Sequence, residues 1–387
     1  MKYLTRQLEP VLARAAKQFP AVVLTGPRRA GKTEILRHCF PNASYRLLEN
    51  PGLLSRARAD PNAFLDEQPT PAILDEIQNA PELLAYVRTH IDAAPRKTGR
   101  WLLTGSQDFA LMSGVTESLA GRAAVLELLP LSQAESPKVD LLAGGFPEAL
   151  ARPAARALWF SSYIQTYLER DVRSVTQIRD LRTFRHFMEL IASRHAQVLG
   201  KSDLAAPLGV SVPTISQWLN ILVMTGLLAL IPPYFENFGK RLTKSPKIYW
   251  LDSGLACHLL GIHTRDELER SPFLGALWEG HVASEILKSQ INRGARKQLY
   301  YFRDERGLEV DFLVPAGSGR LHLVEAKATR TPAPAMAAPM NTLAMALKDK
   351  LKGAWLVHRP ARTAVPTKAL ARGVSAVSLP ELIVGLQ

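Results

Sequence analysis

Gly26-Pro27-Arg28-Arg29-Ala30-Gly31-Lys32-Thr33 fits the pattern G-x-x-x-x-G-K-[ST] of a phosphate-binding loop. Before it stands Ala21-Val22-Val23-Leu24-Thr25, an apolar, β-branched run short enough to be a buried strand. After it, Glu34-Ile35-Leu36-Arg37-His38 opens a helix. A strand, a glycine-bearing loop and a helix start form an anion cradle, because backbone N–H groups and the helix dipole point at one place. There Lys32 would reach the β- and γ-phosphates of ATP, and the Thr33 hydroxyl would ligate Mg2+. The fold class to expect is α/β, with ligands at the carboxyl ends of the strands.

The next strands supply the other half of such a site. Ala72-Ile73-Leu74-Asp75-Glu76 is an apolar run ending in two acids. Asp75 would hold Mg2+ through its water shell, since Mg2+ keeps most of its waters and takes few carboxylates. Glu76 would orient or deprotonate the attacking water. Trp101-Leu102-Leu103-Thr104-Gly105-Ser106-Gln107 is a further strand with a polar end. Thr104, Ser106 and Gln107 all qualify to touch the γ-phosphate or the water, and the spacing does not choose among them. Leu4, Leu8, Val11, Leu12, Ala15 and Phe19 predict a lead-in helix over residues 1–19, and Ser44–Leu48 a second strand. Ser118-Leu119-Ala120-Gly121-Arg122 leads into the strand Ala123–Leu128.

The chain of 387 residues is long enough for two or three domains. Its net charge of +13 is segregated. Residues 1–150 hold 17 Lys and Arg against 16 acids, whereas residues 151–387 hold 31 against 19. A basic half beside a near-neutral half points to a polyanion partner, with DNA the first expectation. No apolar run is long enough to cross a membrane, and Met1–Gln7 lacks the apolar core of a signal peptide, so a cytoplasmic protein with no membrane partner is expected. Cys39 and Cys257 form neither a disulfide framework nor a metal-spacing pattern.

In the basic half, Asp203-Leu204-Ala205 suits a short helix, Gly209 a turn, Ser211 an N-cap, and Pro213 the first turn of a second helix. Ile215, Leu219 and Leu222 form an apolar stripe that leaves Thr214, Ser216, Gln217 and Asn220 outside. This is a helix-turn-helix pattern for reading DNA. Lys240, Arg241 and Lys244 stand where a wing would touch phosphates. Further on come a helix around Leu277–Leu287, a hairpin of Leu299–Arg303 and Glu309–Val314, and a strand Leu321–Lys327. Ala354–Val357 and Ala376–Leu379 would complete that sheet. Period-two alternation places Glu325 and Lys327 on one strand face. Glu279 on the helix, Asp311, then Glu325 and Lys327 resemble the PD-(D/E)xK nuclease signature. Glu279, Asp311 and Glu325 would then hold one or two Mg2+, with Lys327 activating water.

The order of phosphate loop, Asp75-Glu76, polar strand end and Arg122 before a last strand resembles the AAA+ P-loop ATPases. It is most similar to the bacterial and archaeal AAA ATPases with a C-terminal DUF4143-type domain of restriction-endonuclease-like, PD-(D/E)xK fold. Leu74–Gln78, Leu103–Ser106, Leu119–Arg122, Gly144-Gly145-Phe146-Pro147-Glu148 and Tyr167–Val172 carry the resemblance, with the loop itself. It implies self-association into a ring and makes Arg122 the finger that reaches a neighbouring subunit's nucleotide. It also implies a helical lid starting near Gly145, in which Arg170 would sense nucleotide or pair with neighbouring acids. The expected domains are 1–130, an AAA+ core; 131–195, the lid; 196–255, a winged-helix-like module; and 256–387, the nuclease-like domain. Two functional classes follow: an ATPase acting on DNA with a metal-dependent nuclease, or a nucleotide-gated DNA- or protein-binding switch whose nuclease-like domain is inactive.

Overall fold

In the computed structural model, which describes residues 3–105, 115, 117–168, 181–234, 245–360 and 369–387, the run Ala21–Thr25 forms β1, buried at every position. With β2 (Ser44–Leu47), β3 (Ala72–Asp75), β4 (Trp101–Thr104) and β5 (Ala123–Glu127) it builds a sheet in the order β2-β3-β4-β1-β5. Every pairing in it is parallel. Parallel sheets are covered on both faces, so their strands read as unbroken apolar runs, as Ala72–Leu74 and Trp101–Leu103 do. The lead-in helix is shorter than its sequence pattern and spans Glu9–Gln18. Pro10 sets its start, since proline has no N–H to give and suits a first turn. The Glu9 carboxylate there accepts from the Arg6 N–H at 2.6 Å.

The middle of the chain is helical, ending in a hairpin. Helices Leu181–Ser193, Lys201–Leu208 and Val212–Met224 precede β6 (Leu228–Ile231) and β7 (Lys247–Trp250), which pair antiparallel. Gly209 ends the second helix at φ +63°, and Ser211 caps the third, its Oγ accepting from the Thr214 N–H at 3.2 Å. The apolar stripe of that third helix is wider than Ile215, Leu219 and Leu222. Trp218 is also buried, against the rings of Phe184 and Phe187 at 5.4 and 5.1 Å.

The last part carries a six-stranded sheet in the order β12-β13-β11-β10-β9-β8. Its strands are β8 (Tyr300–Arg303), β9 (Glu309–Pro315), β10 (Leu321–Lys327), β11 (Leu351–His358), β12 (Ala369–Ala371) and β13 (Val374–Val377). β8, β9 and β10 are successive antiparallel neighbours; the helix Ala338–Leu347 then crosses over to β11, parallel to β10. The strand expected over Ala376–Leu379 ends at Val377. Ser378 and Glu381 form a reciprocal capping box that starts the helix Leu379–Gly385 instead. The helix Leu274–Asn292 runs well beyond its expected limits and is buried along nearly all of its length. Among the described residues no helix is long and apolar enough to cross a membrane.

One apolar core runs from Leu129 to Leu382 and joins middle helices, hairpin, long helix and the near face of the second sheet. The borders expected at 195/196 and 255/256 fall inside it. The joint between this body and the first sheet is tight at Gly145. Its N–H donates to Asp252 Oδ2 at 2.7 Å, and its carbonyl accepts from Leu131 N–H at 2.8 Å. A Cβ on Gly145 would lie 2.1 Å from the Leu131 carbonyl oxygen, and one on Gly144, at φ +67°, 2.2 Å from Asp252 Oδ1. Both neighbours are fixed, so a side chain forces the backbone apart. Gly145→Ala is expected to destabilise the protein by about 1–3 kcal/mol, the range for overpacking. Urea unfolding of the two proteins measures it, and an unchanged midpoint would contradict this close approach.

Candidate functional site

The phosphate loop leaves β1 at its carboxyl end and closes on the helix Lys32–Cys39. Gly26 sits at φ +137°, and a Cβ there would meet the Leu128 carbonyl oxygen at 2.1 Å, so only glycine fits. Gly31 precedes the helix in the left-handed region at φ +100°. The Lys32 ammonium, buried, donates to the Gly26 and Pro27 carbonyls at 2.9 Å each. Arg28, Arg29, Gly31, Lys32, Thr33, Asp75, Glu76 and Glu148 share a cleft of about 500 Å³. Ala30 is buried beneath it. Arg29 crosses the cleft to Glu148 at 3.3 Å, and Arg28 faces Glu49 at 3.8 Å.

Parallel pairing brings the ends of β1, β3 and β4 side by side, which sets Asp75 against Thr33. The Thr33 hydroxyl donates to Asp75 Oδ2 at 2.9 Å, and the Tyr45 hydroxyl donates to the same oxygen at 2.7 Å. Thr104 donates to Asp75 Oδ1 and accepts the Glu76 N–H at 3.3 Å. Three hydroxyls thus compensate a carboxylate only 2% exposed. Burial, then the bond to Asp75, pushes the Tyr45 phenol above its ordinary range. Glu76 turns out of the strand through the left-handed region at φ 58°, uncommon for a residue with a side chain. Its carboxylate accepts from the Gln78 amide. Thr33 and Asp75 suit Mg2+, a hard cation that keeps several waters and takes few protein oxygens beside the phosphates.

Arg122 lies elsewhere. It precedes β5, whose first residue is level with Ala21, so about 13 Å of strand separates it from the loop end of the sheet. Its guanidinium grips Asp92 with Nε at 2.6 Å from Oδ1 and Nη2 at 3.0 Å from Oδ2. Ser106, Gln107 and Arg170 lie outside the described residues, as do Lys240, Arg241 and Lys244. On the capped helix Val212–Met224, Gln217 and Asn220 are exposed. Thr214 is half-buried against the Ser211 hydroxyl at 2.8 Å, and Ser216 donates back to the Val212 carbonyl at 3.1 Å.

The C-terminal acids are near one another but already occupied. Glu279 Oε1 accepts from Lys247 Nζ at 3.0 Å and from the Tyr249 hydroxyl at 2.5 Å. Asp311 Oδ2 accepts the Ala326 N–H at 2.9 Å, and Glu325 Oε1 accepts Lys327 Nζ at 2.6 Å. Lys247, from the middle hairpin, also contacts Glu309 at 2.5 Å. Among the described residues no three His, Cys, Asp or Glu side chains converge on one point fit for a metal ion. Each acid of the expected set Glu279, Asp311 and Glu325 is bonded to a protein group, and the buried Lys247 bridges Glu279 on the helix and Glu309 on β9. Burial pushes Glu279 up to about 8, with the charge of Asp311 adding to it and Lys247 opposing. Burial, then Asp311, pushes Glu325 up to about 7. Burial alone would lower Lys247, but the acids Glu279, Asp311 and Glu309 beside it outweigh burial and raise it.

Residues 18–136 match the AAA domain. Residues 138–266 match a domain of unknown function, DUF8612, and residues 274–382 another, DUF4143. An uncharacterized protein of Mycobacterium tuberculosis is 36% identical over 330 residues, which is 83% of this chain and 73% of that protein. Its Mycobacterium bovis counterpart gives the same figures. The chain belongs to their family. Its first third is a P-loop AAA ATPase domain. Among solved structures, the Walker-type ATPase of Pyrococcus abyssi aligns with 65% of this chain and 94% of its own length, at 16% identity and a TM-score of 0.44. The Bacillus subtilis DNA clamp loader delta protein aligns with 56% of this chain and 88% of its own, at 12% identity and a TM-score of 0.26.

Tyr45, Lys247 and Arg6 were not among the expected site residues. Tyr45 lay in a run read only as a strand; its place beside β3 was the missing information. Arg6 is 4% exposed and donates to the carbonyl of Ala30 in the loop at 2.9 Å. The Glu279 shift has a testable sign. A carboxyl near 4.3 when unfolded and about 8 when folded favours the folded state below the first value. That contribution is lost as pH rises through the second. Glu279→Gln removes the ionisation, so its stability relative to wild type is expected to rise from pH 5 to pH 9. Chemical unfolding of both proteins at several pH values measures this, and a pH-independent difference would show that Glu279 is not held protonated.

Proposed function

We propose that this protein is a Mg2+-dependent ATPase whose turnover is coupled to DNA held by its basic half. The observation that carries the reading is the convergence of Lys32, Thr33, Asp75 and Glu76 on one cleft. Lys32, released from the Gly26 and Pro27 carbonyls, neutralises the β- and γ-phosphates. Thr33 and Asp75 would hold Mg2+, which when bound would offset charge developing on the phosphates. Glu76, steered by Gln78 and by the Thr104 contact to its N–H, orients the attacking water and takes its proton. Ser106 and Arg170 are further γ-phosphate contacts in this reading. Arg122, on the far end of the sheet, serves a neighbouring subunit in a ring and must leave Asp92 to do so.

DNA binding rests on the excess charge of residues 151–387 and on the exposed Gln217 and Asn220 of the capped helix. Thr214 and Ser216 would add contacts, and Lys240, Arg241 and Lys244 would grip phosphates. Lys32→Ala is expected to abolish ATP hydrolysis, and Glu76→Gln to lower it at least 100-fold, the order of a lost general base. Arg122→Ala subunits mixed with Glu76→Gln subunits should regain part of the rate. Duplex, single-stranded or branched DNA should raise wild-type turnover, less so at higher salt. Wild-type rates in Glu76→Gln would refute the base assignment. Hydrolysis indifferent to every DNA form would favour a protein-binding switch.

For the C-terminal domain we infer a nuclease-like fold used as scaffold. The fold reading is supported by the order of helix, three antiparallel strands, helix and parallel strand, with Asp311 on β9 and Glu325 and Lys327 on β10. The scaffold reading is supported by the buried Lys247, which contacts Glu279 and Glu309. Supercoiled plasmid is expected to stay intact with Mg2+ or Mn2+. Nicking that Asp311→Ala abolishes would overturn this and restore the metal-dependent cleavage read from the sequence.

A further inference from the structure

A row of buried polar contacts runs from the phosphate loop to the C-terminal domain. The Arg6 guanidinium donates through Nη1 to the Ala30 carbonyl at 2.9 Å and through Nη2 to the Leu129 carbonyl at 2.7 Å. Its Nε donates to Glu135 Oε1 at 3.0 Å. Glu135 is itself fully buried and also accepts the N–H groups of Gln7 and Ser132, at 2.8 Å each. The strap Leu131–Glu135 is held from its other side by the helix Leu274–Asn292. Lys288 Nζ donates to the Leu131 carbonyl at 3.0 Å, and Glu285 Oε2 accepts the Gln133 N–H at 2.8 Å. Glu285 and Lys288 also pair with each other at 3.0 Å, and each is 3% exposed.

We propose that Arg6 is the positioning residue of the phosphate loop, and that the long C-terminal helix sets it through Glu285, Lys288 and the strap. The inference rests on the nucleotide-binding reading of the loop. Ala30 immediately precedes Gly31 and Lys32, so the carbonyl Arg6 holds fixes the peptide that leads into the anion cradle. The pattern of contacts is what separates this from ordinary packing. Four buried charges are expensive to keep unless every one is bonded, and apolar side chains would join two domains as well. Here each charge bonds backbone of the strap or of the loop, and the guanidinium fork spans three acceptors that a lysine could not reach together. The C-terminal domain therefore acts as part of the nucleotide site without touching nucleotide.

The test is the dissociation constant of a fluorescent, slowly hydrolysed ATP analogue, with KM and kcat for ATP, on the full chain. Arg6→Met is expected to raise both Kd and KM at least tenfold and to change kcat less than threefold, since the loop holds ground and transition states alike. Arg6→Lys should recover part of the loss. The pair Glu285→Gln with Lys288→Met should also raise Kd, and combined with Arg6→Lys the effects should fall short of multiplying, because both act on one strap. If Arg6→Met does not fold, Glu135→Gln takes its place under the same criterion. Kd unchanged in a folded Arg6 or Glu135 variant would overturn the proposal, as would strictly multiplying effects. Failure of wild type to bind the analogue would instead refute the nucleotide reading itself.

Discussion

The parallel pairing of β1 with both β4 and β5 is the constraint on which the site depends. Parallel strands present their carboxyl ends on one edge, and β1, β3 and β4 lie there within three neighbouring positions. Thr33 follows β1, Asp75 ends β3 and Thr104 ends β4, so one edge supplies hydroxyl, carboxylate and hydroxyl. The same pairing sends the start of β5, and Arg122 with it, to the opposite edge. A group placed there is out of reach of its own loop, and Arg122 pairs with Asp92 instead. The arrangement of strands thus keeps Arg122 apart from the cleft that holds Lys32, Thr33 and Asp75.

Two groups of buried carboxylates show how surroundings decide use. Asp75 is surrounded by neutral hydroxyls, from Thr33 at the start of the helix after the loop, Thr104 at the end of β4 and Tyr45 on β2. Neutral donors stabilise a carboxylate without cancelling its charge, so a cation still gains by approaching it. Glu279 and Glu325 instead face ammonium groups, Lys247 and Lys327, in a closed setting that also raises their proton affinity. A carboxyl that is paired or protonated offers a divalent ion little. The same residue types therefore meet neutral hydroxyls in the first sheet and ammonium groups in the second.

Much of the first sheet was legible because its signals are local. The loop pattern, the apolar runs and the acids at Asp75-Glu76 are each contained in fewer than ten residues, and buried parallel strands keep their apolar character unbroken. The Ser211 cap and the Gly209 turn were legible for the same reason. Trp218 was missed because a stripe of three residues already satisfied the helical period, and only the positions of Phe184 and Phe187 widen it. Lys247 was invisible for a stronger reason. Its partners Glu279 and Glu309 come from later segments, and nothing around a lysine at the head of β7 marks it as buried. Period-two alternation put Lys327 and Glu325 on one strand face, and the two do meet, yet a local pattern could not reveal a cation arriving from another element.

The same blindness to distant partners hides the apolar core that runs from Leu129 to Leu382 across the expected bounds. The bounds expected at 195/196 and 255/256 follow changes of local pattern, and an apolar core does not have to respect those. Burying Glu285 and Lys288 against the strap Leu131–Glu135 makes sense only if helix and strap stay together, because parting them would strand two charges in an apolar setting. Gly145 adds a second fixed point, between Leu131 and Asp252. The segment leaving β5 is thus clamped by residues from three parts of the chain, and one end of that clamp is Ala30 of the phosphate loop. A movement of the loop must therefore either be absorbed by Arg6 or pass into the strap and the helix that holds it.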